Sequence, residues 1–175
     1  DIHCPHGAEM KKPEPVTQVK RRRDLALNVI VNQVPYINFL GVTFDRHGDE
    51  LTATMRFHGN LIGNPELPAL HGGATAAFLE ITAIVGLAWT SLWDEIETER
   101  LNVESLQTGE LQLPKTIDFT VDYLRSGLPR DAYARAKVNR SGRRYASVHV
   151  EGWQDNRDRL FAQASGHFLM PPRDG

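Results

Sequence analysis

Cysteine is almost missing from this chain: Cys4 is the single one in 175 residues. One thiol cannot form an internal disulfide, so packing must hold the fold, and such usage fits a reducing compartment. Charge of one sign is missing too. Lys and Arg total 20 against 22 Asp and Glu, a net charge of -2, which gives no global pull toward nucleic acid or an anionic membrane. Long apolar runs are scarce. The strongest, Ile81 to Trp89, is interrupted by Thr82 and falls well short of the roughly 20 residues a bilayer-spanning helix needs. The N-terminus is polar and lacks the apolar segment of a secretory signal. No Gly-x-Ser-x-Gly elbow occurs, which removes the usual serine-hydrolase arrangement. These absences predict a cytoplasmic protein with neither nucleic acid nor membrane among its partners. The chain opens on Asp1, and Met10 is a candidate natural start.

What is present suffices for one domain with a real core. Residues 1–23, with Pro5, Pro13, Pro15 and the basic run Lys20 to Arg23, read as an N-terminal arm, and residues 24–175 as the domain. Asp24 is the expected N-cap of a helix that Pro35 ends. Val42 to Arg46 and Glu50 to Phe57 read as a hairpin about Gly48-Asp49. From Gly72 to Trp93 the positions Ala74, Ala77, Phe78, Ile81, Ile84, Val85 and Ala88 recur at three- and four-residue steps, the stripe of a core-facing helix. Ala76, Glu80, Ala83 and Leu87 form a second stripe, so this helix is expected to be buried on more than one side. Residues 94–113 read as an irregular insert. Four strands follow: Thr116 to Leu124, with Ile117, Phe119, Val121 and Tyr123 on its apolar face, then Ala132 to Val138, Arg143 to Trp153 and Leu160 to Leu169. The order predicts an α+β fold, an antiparallel sheet around one buried helix, with an N-terminal helix before it.

The chemistry concentrates between the hairpin and the long helix, in Gly63-Asn64-Pro65-Glu66-Leu67-Pro68-Ala69-Leu70-His71-Gly72-Gly73. The first N–H groups of a helix have no intrahelical acceptor and sit at the positive end of its dipole. Glycine there lets a carbonyl group approach the backbone closely. A lone acid, Glu80, follows on a stretch otherwise built of Ala, Leu, Ile and Val, and apolar surroundings make a carboxylate a stronger base. Donors for an oxyanion and a nearby base are the parts for hydrolysing a carbonyl ester. Nine residues are about two and a half helical turns, so His71 and Glu80 of one chain point to opposite sides of the helix. That spacing favours a site shared between two chains.

Three blocks, Asn64 to Glu80, Thr116 to Arg125 and Arg143 to Leu169, carry a resemblance to the hotdog-fold acyl-CoA thioesterases, in particular the phenylacetate-pathway (PaaI-like) branch of the 4-hydroxybenzoyl-CoA thioesterase superfamily. The resemblance implies a hotdog fold, an acyl-CoA substrate, and a homodimer or tetramer with active sites between subunits. It gives Glu80 the part of general base or nucleophile, the Gly72 N–H that of oxyanion donor, and Asn64 that of polarising the carbonyl. Thr116 then helps to position water. His71 is read as shaping the loop that holds Gly72, and Gly73 as a second backbone contact at the helix mouth. Arg125, Arg143 and Arg144 are candidates for the CoA phosphates, which guanidinium groups bind well. No metal or other cofactor is implied: His3, Cys4 and His6 lack a fourth ligand.

Two other functions compete. Gly63-Asn64-Pro65 with Pro68 echoes a hydroxyacyl thioester dehydratase loop, but Asn60 stands where that catalytic histidine belongs. The dehydratase glutamate follows the second proline by six residues, and here Glu80 follows it by twelve. A non-catalytic acyl-CoA-binding module is the second alternative.

Overall fold

The computed structural model describes residues 12–97 and 111–172. Three α-helices and eight strands occur there, besides one short 3-10 turn (Gly59–Leu61): α1 (Val16–Asn32), α2 (Pro35–Leu40), β1 (Val42–His47), β2 (Glu50–Met55), β3 (Ile62–Asn64), β4 (Ala69–Leu70), α3 (Gly72–Glu97), β5 (Lys115–Tyr123), β6 (Ala132–Ser141), β7 (Tyr145–Trp153) and β8 (Ala162–Leu169). Six strands form one antiparallel sheet in the order β1-β2-β6-β7-β8-β5, and α3 packs along it. This is the hotdog architecture. The hairpin and the four later strands stand close to their expected limits, and Gly48 turns the hairpin at φ 62°. Helix α3, however, runs past Trp93 to Glu97, so the first four residues of the expected irregular insert, 94–97, are helical.

The N-terminal boundary differs from the sequence expectation. Pro15, not Asp24, is the N-cap of α1, so residues 16–23 are helical and the arm ends earlier. Asp24 lies inside the helix and accepts from Arg46 Nε at 2.8 Å. The reason is tertiary. Arg23 in the basic run pairs with Asp49 at 2.7 Å and Glu97 at 3.5 Å and lies 4.7 Å over the Trp93 ring. These contacts draw the basic turn of α1 onto the domain. Residues 1–11, and most of the expected 94–113 insert, lie outside the described residues.

Helix α3 supplies most of the core. Phe78, Leu79, Val85 and Leu87 are almost wholly buried, each contributing about 1.5–3 kcal/mol by leaving water. With 26 residues it has the length and apolar composition of a membrane span, yet most of it is buried inside this domain. The burial is uneven. Ala76, Ala77, Glu80 and Ile84 stay half-exposed, within one arc of about 100° at 3.6 residues per turn. Expected core positions Ala77 and Ile84 therefore lie with Glu80 on the face the sheet leaves open.

Register defines two ends of the sheet. Val42, Met55, Ala132, Trp153, Ala162 and Tyr123 share one end. His47, Ser141, Tyr145, Leu169 and Lys115 share the other. Helix α3 starts at the Tyr123 end and finishes near the Lys115 end.

Candidate active site

The loop before α3 is a small built structure. Strands β3 and β4 pair Ile62 with Leu70 and Asn64 with Ala69. The Asn64 Oδ1 accepts from the Glu66 N–H at 3.1 Å and the Leu67 N–H at 3.4 Å, an Asx turn that closes the two strands. Next, Leu70 N–H donates to the Gly127 carbonyl at 2.9 Å and His71 N–H to the Leu61 carbonyl at 2.7 Å. Gly63 lies so close that a Cβ there would stand 2.7 Å from His71 Cα. The backbone of His71 is thus fixed from three sides.

His71 in turn caps the helix. Its Nδ1 accepts from the Gly73 N–H at 2.9 Å, which leaves Nε2 to carry the proton of the neutral ring. Its carbonyl accepts from Thr75 N–H at 3.1 Å. The Gly72 carbonyl accepts from the Tyr123 hydroxyl at 2.8 Å. The Gly72 N–H has no hydrogen-bond partner among the described residues. It is an unspent donor at the positive end of a 26-residue helix.

Glu80 is eight residues further along α3, half-exposed, among Ala76, Ala77 and Ile84. Arg125 follows β5 at the same end as Gly72, and its Nε donates to the Leu160 carbonyl at 3.0 Å. Thr116 lies at the opposite end of β5, paired with Phe168. Seven residues of strand, about 23 Å at 3.3 Å each, separate it from Tyr123. Arg143 and Arg144 occupy the β6–β7 turn, also at the far end. The Arg144 guanidinium stands 5.9 Å over the Tyr145 ring. One chain therefore brings together Asn64, His71, Gly72, Gly73 and Arg125, holds Glu80 midway, and keeps Thr116, Arg143 and Arg144 at the other end. A groove of about 500 Å³ lies elsewhere, on the outer face of the sheet, among His47, Arg135, Lys137 and His149. Sequence alternation places Tyr123 on the apolar face of β5 and gives it no further part. Only the fold reveals that its hydroxyl reaches α3.

A sheet wrapped on one helix that opens with His-Gly-Gly is the fold of the hotdog thioester hydrolases. The thioesterase superfamily model matches residues 67–161, more than half of the chain, and the chain belongs to that family. It is similar to the medium/long-chain acyl-CoA thioesterase YigI of Salmonella typhimurium, 28% identical over 145 residues that cover 81% of this chain and 89% of that protein. A Shewanella oneidensis protein related to the thioesterase superfamily superposes with a TM-score of 0.68 at 26% identity, over 89% of this chain and 99% of the other. A phenylacetic acid degradation-related protein from Ralstonia eutropha shares the fold, with a TM-score of 0.62 at 18% identity over 83% of this chain and 99% of that one.

Proposed function

We propose that the chain hydrolyses acyl-CoA thioesters at a site completed by two copies paired along β5. The observation that carries this reading is a separation along one helix. The free Gly72 N–H and the Glu80 carboxylate are eight residues apart, about 12 Å of rise. An oxyanion donor must lie about 3 Å from the carbonyl oxygen, and a base within one water of the carbon. A second copy supplies the missing half. Antiparallel pairing of β5 with its counterpart sets the Lys115 end of one strand beside the Tyr123 end of the other. Thr116, Arg143 and Arg144 of one copy then approach Asn64, His71, Gly72 and Arg125 of the other. Exposure of Ile117 and Tyr123, 53% and 55% in the single chain, supports such a partner.

In the proposed reaction the Glu80 carboxylate takes a proton from water, and the resulting hydroxide adds to the thioester carbon. Negative charge gathers on the carbonyl oxygen under the Gly72 N–H, assisted by the Asn64 amide nitrogen, since the Asn64 oxygen is engaged in the turn. The C–S bond breaks, and the CoA thiolate recovers the proton from the Glu80 carboxyl. A carboxylic acid and free CoA leave. Thr116 orients the water, while the three arginines meet the CoA phosphates, and the balance needs no metal or redox cofactor. Gly73 serves by keeping the mouth narrow: a Cβ there would stand 2.9 Å from the His71 ring.

Thiol release from short, medium, long and aromatic acyl-CoAs tests this, with wild type and Glu80→Gln side by side. Wild type should turn over at least one class, and the folded variant should lose on the order of 10²- to 10⁴-fold in kcat. Near-normal turnover by the Gln variant removes Glu80 from the mechanism. Binding of CoA thioesters with no release at all would make the chain a binding module instead.

A further inference from the structure

Two side chains from different elements grip a single peptide unit beside the proposed oxyanion donor. The Gly72–Gly73 peptide has its carbonyl held by the Tyr123 hydroxyl at 2.8 Å and its N–H held by His71 Nδ1 at 2.9 Å. One hold comes from β5 and the other from the loop that precedes α3. We infer that Tyr123 is a positioning residue for hydrolysis: with His71 it locks this peptide plane and so fixes the Gly72 Cα. From there the adjoining His71–Gly72 peptide, anchored by its carbonyl to the Thr75 N–H, presents the Gly72 N–H to the developing oxyanion. The inference rests on the functional reading above.

The physical need is clear from the residues gripped. Glycine has the widest backbone freedom of any residue, and here two stand in succession at a helix end, where fraying is easiest. A donor that wanders by tens of degrees loses much of its value, because a preformed oxyanion hole works by needing no reorganisation. Gly73 cannot be replaced to stiffen the turn without displacing the His71 ring. A Cβ on Gly73 would stand 2.9 Å from His71 Cε1 and Nδ1, and one on Gly72 would rest 3.4 Å from the Tyr123 ring. Restraint must therefore come from outside the pair. Two clamps on opposite edges of one peptide prevent its rotation, and a hydroxyl donating into the carbonyl also polarises the N–H that His71 receives. Among the described residues the Tyr123 hydroxyl bonds the Gly72 carbonyl and not the Gly72 N–H, so its effect on the donor passes through the backbone.

Tyr123→Phe removes only the hydroxyl. The variant should keep its fold and oligomeric state and lose about tenfold in kcat with KM within about twofold, the pattern of an interaction that matters only in the transition state. In ¹H–¹⁵N spectra the Gly73 amide should shift as its peptide loses one clamp. Unchanged kcat overturns the inference, as does a raised KM at constant kcat, which would make Tyr123 a substrate contact. His71→Ala releases the other end of the same peptide and gives an independent route. Losses in Tyr123→Phe/His71→Ala that simply multiply would show two separate functions and contradict a shared clamp, which predicts a double loss smaller than the product. Should wild type hydrolyse no acyl-CoA, the functional reading falls, and the Gly73 amide shift alone still decides whether the clamp exists.

Discussion

The two edges of the sheet are managed in opposite ways. Strand β1 is short, six residues, with polar Thr43, Asp45 and His47 exposed along it. The side chain of its Arg46, 4% exposed, is roofed by α1 through Asp24 and the Lys20 carbonyl. Short length, charge and a covering helix are the usual devices that stop an edge from recruiting another strand. Strand β5 carries charge as well, at Lys115, Asp118 and Asp122, but it is longer and no described helix roofs it as α1 roofs Arg46. It runs nine residues, presents Ile117 and Tyr123 more than half exposed, and continues into exposed Leu124. One edge is closed to further strands, and the other has the form of one still to be joined. The open edge is also the one whose Tyr123 reaches Gly72, so the proposed assembly and the candidate chemistry meet on the same strand.

Placing a charge on each edge breaks this comparison most sharply. Ile117→Lys should yield a folded monomer by light scattering with turnover down by on the order of 10³, because neither half of the site then has its complement. Thr43→Lys on the closed edge should leave both mass and turnover as they were. Equal behaviour of the two variants would remove the distinction between the edges. A smaller effect tests how firmly β5 is seated on its inner neighbour. A Cβ at Gly166 would come 2.6 Å from Phe119 Cδ2 and 2.7 Å from the Asp118 carbonyl. Gly166→Ala should cost about 1–3 kcal/mol by overpacking, read as a Tm lowered by several degrees; an unchanged Tm would mean that β5 gives way without strain.

Much of this was legible in the sequence because it depends on local rules. Alternation from Thr116 to Leu124 fixed β5 almost to the residue, and Gly48-Asp49 marked the hairpin turn. His-Gly-Gly before an apolar period placed the start of α3. What escaped was set by distant partners. The start of α1 at Val16 depends on Arg23 meeting Asp49, Glu97 and Trp93, none of which is near it in sequence. Alternation predicts a half-buried apolar face for β5, yet within one chain only Phe119 and Val121 are even partly buried. The hydroxyl of Tyr123 finds the Gly72 carbonyl across 51 residues, and no periodicity encodes that contact. Asn64 was legible as a loop residue, whereas the use of its oxygen in the Asx turn was not.

The most direct test of a site shared by two copies is subunit mixing. Gly72→Pro deletes the donor N–H at a helix start, where proline is tolerated, and Glu80→Gln deletes the base. Each variant alone should be nearly inactive. Unfolded together and refolded as an equimolar mixture, they should regain about a quarter of wild-type turnover, since half of random two-fold dimers are mixed and each mixed dimer holds one intact site of two. A mixture no more active than its components would place Gly72 and Glu80 in the same site of a single chain, or outside the chemistry altogether, and would contradict the account.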